Sequence, residues 1–138
     1  MRVVVDANVY VSAAISIGPS HRIVQAAFAS RFEAILCPTL LAEIENVLNR
    51  PRLRKRISTE QSRAFVDDLS ILLELVPDPS NTPAVTRDAD DDYLVALALE
   101  HEAAWIVTGD KDLLEWEEQA PPAITPASFE ELLDENAP

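Results

Sequence analysis

The sequence predicts an α/β fold of three layers, in which helices cover the two faces of a central parallel sheet. Short apolar runs rich in β-branched residues alternate along the chain with longer segments of helical spacing. This alternation favours parallel strands joined by right-handed crossover helices. The chain has 138 residues, of which 48% are hydrophobic and 25% charged. That is enough for one ordinary core, so we expect residues 1–138 to form a single domain.

The first strand and the first two helices are predicted from the N-terminal residues. Residues 2–5 form a buried strand, and the mostly apolar residues 9–17 form a short helix. Gly18 and Pro19 interrupt this helix, and Ser20 is the predicted N-cap of the next one.

The second and third strands are predicted in the middle of the chain. Residues 34–37 are a short apolar run, and Thr39 is the predicted N-cap of the helix that Pro51 ends. Residues 58–61 have the pattern of a capping box, followed by an apolar stripe. That stripe comprises Phe65, Leu69, Leu72, Leu73 and Val76. Its last residues are also compatible with a short third strand.

Acidic residues surround the predicted elements of the C-terminal part. The acidic run at residues 88–92 opens a helix, and residues 105–107 form a further strand that stops at a turn with two more acids. Residues 123–124 are a last short strand. Thr125 and Pro126 then have the N-cap and first-turn positions of a final helix.

The charge is unevenly distributed. The net charge is −13, but residues 1–76 contain nine Lys or Arg and eight Asp or Glu, whereas residues 77–138 contain two and sixteen. An acidic surface disfavours nucleic-acid binding, although the first half carries one basic cluster. The acidic half improves solubility, and it could also attract a basic partner segment or hold cations.

Cysteine content and hydropathy indicate a cytoplasmic protein. The single cysteine, Cys37, excludes an internal disulfide and fits a reducing compartment. Its apolar neighbours favour a packed thiol over a nucleophile. We expect no membrane span and no signal peptide, because apolar runs are short and only Met1 and Arg2 precede the valines of the first strand.

Four acids are expected at one edge of the sheet. Asp6 follows the first strand, Asp110 follows the strand at residues 105–107, and Glu43 and Asp91 lie in the first turns of helices. Each has a simpler explanation as a helix cap or an exposed acid. Together they would repel one another strongly unless a hard divalent cation lay between them, and Mg²⁺ or Mn²⁺ prefers such oxygen ligands.

Zinc and histidine chemistry are not expected at these acids. His21 and His101 are the only histidines, and His101 lies at the far end of its helix from the acidic run. A zinc site or a histidine general base is therefore disfavoured.

Four segments together resemble PIN-domain proteins. They are residues 3–12 (VVVDANVYVS), 40–44 (LLAEI), 88–94 (DADDDYL) and 106–114 (IVTGDKDLL), in the order of the family. The basic run near them resembles the toxin components of bacterial toxin–antitoxin pairs.

The resemblance implies a Rossmann-like fold with about five parallel strands and Mg²⁺- or Mn²⁺-dependent hydrolysis of RNA. The implied acidic site consists of Asp6, Glu43, Asp91 and Asp110, of which the three aspartates would hold metal. Asp88 and Asp92 are alternatives to Asp91 as the third ligand. The implied supporting residues are Asn8, Ser12 and Thr108, with Asp112 as an auxiliary ligand or a simple turn acid. Ala7 stands where relatives often have threonine.

The basic cluster and the expected partners follow from the same resemblance. Five cations within seven residues could contact an RNA backbone or form a solvated loop; they are Arg50, Arg52, Arg54, Lys55 and Arg56. A toxin would have an antitoxin partner, and PIN proteins are often homodimers. The alternatives are a housekeeping RNA-processing nuclease and a non-catalytic interaction module.

Two other enzyme or signalling classes fit the sequence less well. A phosphatase with an aspartyl nucleophile requires a second acid at position 8, where this chain has Asn8. A receiver domain requires a phosphoacceptor aspartate after a central strand and a later lysine, and the order of the acids here does not match.

Overall fold

A computed structural model describes residues 1–80 and 92–136 in full, and residues 89–91 by their backbone alone. The described part of the chain contains five strands and seven α-helices. In chain order they are β1 (Arg2–Val5), α1 (Ala7–Ile15), α2 (Pro19–Phe28), β2 (Glu33–Leu36), α3 (Pro38–Leu48), α4 (Thr59–Leu72), β3 (Glu74–Leu75), α5 (Ala89–Glu100), β4 (Trp105–Val107), α6 (Lys111–Leu114), β5 (Ala123–Ile124) and α7 (Pro126–Glu135). A 3₁₀ helix (Pro51–Lys55) joins α3 to α4.

The five strands form one parallel sheet flanked by helices, as the sequence predicts. Their order is β3-β2-β1-β4-β5, so the chain builds outwards from β1 on one side and then on the other. Ligand sites in open α/β sheets lie at such a reversal, outside the carboxyl ends of the strands. The fold therefore directs attention to the ends of β1 and β4.

The central strand is fully enclosed, which explains its unbroken run of valines. Val3 and Val4 are 0% exposed and Val5 is 2% exposed. Parallel strands covered on both faces are apolar on both faces rather than alternating. In the pairing of β1 with β4, Val5 is level with Val107, so Asp6 and Thr108 follow at the same height.

Several predicted local features are confirmed. The capping box at Ser58 and Gln61 is present in both directions, and Thr125 caps α7 by accepting from the Ser128 N–H. The third strand is the short β3 at Glu74–Leu75, so α4 ends at Leu72.

Three predicted positions are wrong. Helices α2 and α3 begin at Pro19 and Pro38, so Gly18 and Cys37 are the N-cap residues instead of Ser20 and Thr39. The fixed φ angle of proline suits the first helical position, and this preference outweighs that of a hydroxyl one residue later. Leu72 is 52% exposed and leaves the apolar stripe of its helix.

Among the described helices, none is both long enough and apolar enough to cross a lipid bilayer.

Candidate active site

Asp6 occupies the end of the central strand and the start of the first helix. It is the N-cap of α1, and its Oδ1 accepts the Asn8 backbone N–H at 3.4 Å. Its Oδ2 accepts the hydroxyl of Thr108 at 2.7 Å. The residue is only 7% exposed. The capping role and a role in a site are thus compatible, because one oxygen serves the helix and the other faces β4.

Thr108 connects Asp6 to the acids that follow β4. Its side chain is fully buried, and its hydroxyl oxygen accepts the backbone N–H of Asp110 at 3.0 Å while the hydroxyl donates to Asp6. Asp110 is in turn the N-cap of α6 and accepts the Asp112 N–H at 2.8 Å. The ends of the two strands are therefore joined by one continuous chain of hydrogen bonds.

Two negative charges, those of Asp6 and Asp110, lie close enough at this edge of the sheet to repel each other. Burial raises the pKa of Asp6 above its ordinary value, and the neighbouring charge of Asp110 raises it further. The hydrogen bonds from Thr108 and the Asn8 N–H act in the opposite direction. A buried carboxylate beside a second one is an unfavourable arrangement that a cation would relieve.

Glu43 reaches the same region from α3. The side chain is exposed, and its Oε2 accepts the hydroxyl of Tyr93 on α5 at 2.8 Å. Burial and this hydrogen bond raise the pKa of Tyr93, and the charge of Asp6 adds a smaller effect. Tyr93 therefore lies within electrostatic reach of both Glu43 and Asp6. It was not predicted, because a lone aromatic residue after an acidic run has no distinctive pattern.

Two of the three candidates for the third acid, Asp91 and Asp92, lie in the first turn of α5, a helix that packs on β1 and β4. Asp92 is only 4% exposed, so its side chain is buried in the domain. Asp91 is helical in its backbone, and its side chain lies outside the described residues. Asp88 also lies outside the described residues.

Two of the predicted supporting residues lie on α1. Asn8 is exposed and reaches Asp6 through its backbone N–H. Ser12 is half-buried one turn later, and its carbonyl accepts the backbone N–H of Ser16 at 3.0 Å and the Ser16 hydroxyl at 2.9 Å. Of the three predicted supporting side chains, Thr108 is thus the one whose contact with an acid is defined.

The predicted basic cluster is divided between structural and exposed members. The half-buried guanidinium of Arg54 donates to the carbonyls of Leu48 and Ile57 and to the Asn49 side chain at the end of α3, and to Ser62 of α4. It stabilises the C-terminal end of α3, where carbonyls lack partners within the helix.

The remaining basic residues point outwards. All four are exposed: Arg50, Arg52, Lys55 and Arg56. Arg56 also donates to the carbonyl of Ile15 at 3.3 Å. The exposed members are those able to meet a phosphate backbone without disturbing the fold.

The donor set suits a hard cation. Asp6 and Asp110 offer carboxylate oxygens at the sheet edge, the ligands that Mg²⁺ and Mn²⁺ prefer. Among the side chains that the structure describes, no three His, Cys, Asp or Glu residues are grouped closely enough for a metal site. Asp91 is not among those side chains, and Mg²⁺ commonly retains several waters with only one or two protein carboxylates.

Comparisons with known proteins agree with this geometry. A family model described as PIN domain matches residues 2–112. An uncharacterized protein of Methanocaldococcus jannaschii, MJ1680, is 31% identical over 115 residues, which cover 83% of this chain and 74% of that protein. This relative is archaeal, so it does not support the bacterial subgroup that the resemblance suggested.

Two solved structures share the fold. The crystal structure of PAE2754 from Pyrobaculum aerophilum aligns with a TM-score of 0.71 at 16% identity, covering 99% of this chain and 91% of that one. The structure of VapBC2 from Rickettsia felis, bound to a DNA fragment from its promoter, aligns with a TM-score of 0.59 at 14% identity, covering 91% and 97%.

Proposed function

The chain belongs to the PIN-domain family, and from this premise we propose that it is a Mg²⁺- or Mn²⁺-dependent endoribonuclease. The observation that carries the proposal is the pair Asp6 and Asp110, connected through Thr108 at the carboxyl edge of β1 and β4. Nuclease activity is the general property of the family that such paired acids support. RNA as the substrate and the metal requirement are the finer parts of the proposal.

The metal-binding residues would be Asp6, Asp110 and one acid of the run at residues 88–92. Asp91 is our first choice for the third, with Asp92 and Asp88 as alternatives. When bound, the divalent ion would activate water and neutralise charge on the phosphodiester. The hydroxyl of Thr108 keeps the two strand-end acids oriented, and a bound cation would lower the pKa of Asp6, which burial raises in its absence.

Glu43 would orient the attacking water from the opposite side, since Tyr93 holds one of its oxygens. The water oxygen forms a bond to phosphorus as the bond from phosphorus to the 3′ oxygen breaks. The proton lost by the water passes to the solvent through Glu43, and the 3′ oxygen gains one. The products are a 5′-phosphate and a 3′-hydroxyl.

The proposed biological role is that of a toxin with an antitoxin partner. The acidic second half of the chain would suit a basic segment of that partner. A similar fold is found in VapBC2, at an identity too low to transfer its role. A homodimer in the cytoplasm is the expected state. A housekeeping RNA-processing nuclease and a non-catalytic interaction module are the alternatives.

Cleavage of a mixed RNA panel, with Mg²⁺, with Mn²⁺ and with a chelator, tests the proposal. We expect Asp6→Asn and Asp110→Asn to reduce the rate by at least about 100-fold. Asp68→Asn is the matched control, because Asp68 is an exposed acid on α4. Parallel Asp91→Asn and Asp92→Asn variants identify the third acid.

The same variants separate the alternatives. Cleavage that survives both Asp6→Asn and Asp110→Asn would exclude the proposed site. No cleavage together with no Mn²⁺ binding in calorimetry would favour the interaction module. A neighbouring gene for a small DNA-binding protein would favour the toxin over the processing enzyme.

A further inference from the structure

A groove of about 520 Å³ opens beside α3, directly next to the proposed site. Its wall includes Glu43 and Tyr93, so it is continuous with the outer acid of the site. It also includes Asn46, Val47 and Arg50. Its volume lies within the roughly 300–1,000 Å³ typical of small-ligand sites. None of the latter three residues has a role in the chemistry proposed above.

The order of these residues along the chain gives the groove a direction. Glu43 and Asn46 lie one turn apart on the same side of α3, and Arg50 follows just beyond the C-terminal end of that helix. The groove therefore presents a carboxylate at one end, a cation at the other and an amide between them.

This sequence of groups matches one nucleotide of an RNA strand. A phosphate would lie at Arg50, away from Glu43, because carboxylate and phosphate repel. A base can contact the Tyr93 ring and Val47, since aromatic and apolar surfaces accept unstacked bases. The Asn46 amide offers both a donor and an acceptor to a base edge.

We propose that this groove binds the nucleotide next to the scissile phosphate in single-stranded RNA, with Asn46 reading its base and Arg50 binding its phosphate. The proposal rests on the proposed function, because it identifies the substrate class and the specificity of the same site. It predicts that sequence preference originates on α3, whereas the more distant Arg52 and Lys55 contribute only charge.

Binding of fluorescein-labelled A10, C10 and U10 RNA, followed by anisotropy in Mg²⁺ with Asp6→Asn protein, is the first test. We expect unequal affinities for the three oligonucleotides, and we expect Asn46→Ala to reduce their spread to less than about twofold. Arg50→Ala should weaken all three by about 5- to 10-fold. A duplex of the same length should bind more weakly, because its bases stay stacked.

Matched controls accompany each change. Gln25→Ala removes an exposed amide from α2, and Arg63→Ala removes an exposed guanidinium from α4 outside this groove. Both should leave affinity and preference within twofold of the parent. Asn46→Ala is expected to fold, since Asn46 is exposed and alanine has the higher helix propensity. Thermal unfolding of each variant verifies this.

The outcomes distinguish this subsite from the proposed function. Asn46→Ala and Arg50→Ala behaving like their controls, or duplex binding equal to single-strand binding, would overturn the subsite. If wild-type protein cleaves RNA and its cut-site preference is unchanged by Asn46→Ala, the subsite fails and the nuclease stands. If it binds RNA through these residues without cleaving it, the nuclease fails and the subsite stands.

Discussion

The two halves of the candidate site are built in different ways. The inner pair, Asp6 and Asp110, lies at the ends of neighbouring strands and is joined through the buried Thr108. The outer pair, Glu43 and Tyr93, joins an exposed helical acid to a half-buried phenol by one hydrogen bond. Strand register and backbone contacts determine the first pair, whereas a side-chain contact between two helices joins the second.

The difference suits the two pairs to different roles, the inner pair to holding ligands and the outer pair to contacting substrate. Groups fixed by β-sheet register cannot move without disturbing the core, so the inner pair suits ligands that must keep a constant spacing. Its rigidity has an energetic cost, because Asp6 is buried beside another carboxylate. Glu43 of the outer pair is exposed and Tyr93 is half-buried, so we expect this pair to adjust to substrate more easily than the inner pair. Four predictions test this comparison, from the largest expected effect to the smallest.

Loss of the Thr108 hydroxyl should damage the inner pair most. Thr108→Val leaves a buried oxygen of Asp6 without its donor and the Asp110 N–H without its acceptor. We expect a destabilisation of about 1–3 kcal/mol in urea unfolding and a loss of about 100-fold in kcat/KM. Thr108→Ser retains the hydroxyl and is the matched control. Equal activity of the valine and serine variants would contradict the role given to this hydroxyl.

Loss of the Tyr93 hydroxyl should have a smaller effect on the outer pair. Tyr93→Phe keeps the ring and removes one hydrogen bond from the exposed Glu43 carboxylate, so we expect kcat to fall by about 5- to 10-fold. RNA affinity should stay the same, because the groove surface is retained. The free energy of unfolding should change by less than about 1 kcal/mol. A loss as large as that of Thr108→Val would mean that the outer pair is equally fixed.

Neutralising Asp6 should stabilise the metal-free protein. Since burial raises the pKa of Asp6 above its ordinary 3.8, its protonated form favours folding, and this stability is lost as pH rises through the raised pKa. We expect Asp6→Asn to raise the melting temperature by about 2–5 °C at pH 7.5. The gain should shrink towards pH 4.

The stability measurement needs its own control. Asp68→Asn, which changes an exposed acid, should leave the melting temperature nearly constant across the same pH range. A melting temperature of Asp6→Asn that is lower than wild type at pH 7.5 would show that the hydrogen bonds of Asp6 outweigh its burial. Added Mn²⁺ should reverse the order by stabilising only the wild type.

Loss of the Asp78 carboxylate, which binds the first turn of the helix that carries Glu43, should give the smallest effect. Asp78, distant in sequence, accepts the backbone N–H of Thr39 in the first turn of α3 at 2.8 Å, and this bond lowers the pKa of Asp78. The stability it adds is present above the ordinary carboxyl pKa and lost as pH falls through the lowered one. We expect Asp78→Ala to cost about 0.5–1 kcal/mol at pH 7 in urea unfolding, and progressively less as pH falls through the lowered pKa of Asp78.

Asp68→Ala provides the comparison for Asp78, since it removes an exposed acid within a helix. If both variants have the same stability at neutral pH, the contact with α3 contributes nothing. A loss at Asp78 that does not shrink as pH falls would point to packing rather than charge.

Local signals predicted a large part of the fold. The valines of β1, the capping box at Ser58 and the cap at Thr125 rest on neighbours within a few residues, and all three are confirmed. Competing local signals decided the errors, because Pro38 starts α3 before Thr39 can cap it. The backbone N–H of Thr39 instead donates to the carboxylate of Asp78, a contact between segments that no local pattern predicts.

Long-range contacts explain what sequence reasoning did not find in the site. Arg54 stands in a basic run typical of nucleic-acid contact, yet its guanidinium donates to the carbonyl of Leu48 at the end of α3 and to the carbonyl of Ile57. Tyr93 contacts Glu43 across 50 positions of the chain, and no local sequence pattern at either residue predicts this hydrogen bond. The sequence also does not decide whether Asp91 or Asp92 faces the site. One step along a helix turns a side chain by about 100°, so the orientation depends on how the helix packs.

The sequence by itself determined that acids and then helices follow the two strands at residues 2–5 and 105–107, because strand periodicity, turns and caps act over a few residues. It thereby determined which acids could lie at one edge of a parallel sheet. Only the tertiary structure decided that β1 pairs with β4, so that Asp6 meets Thr108 across 102 positions. That pairing depends on how distant apolar surfaces fit together, and it is the contact on which the inner pair depends.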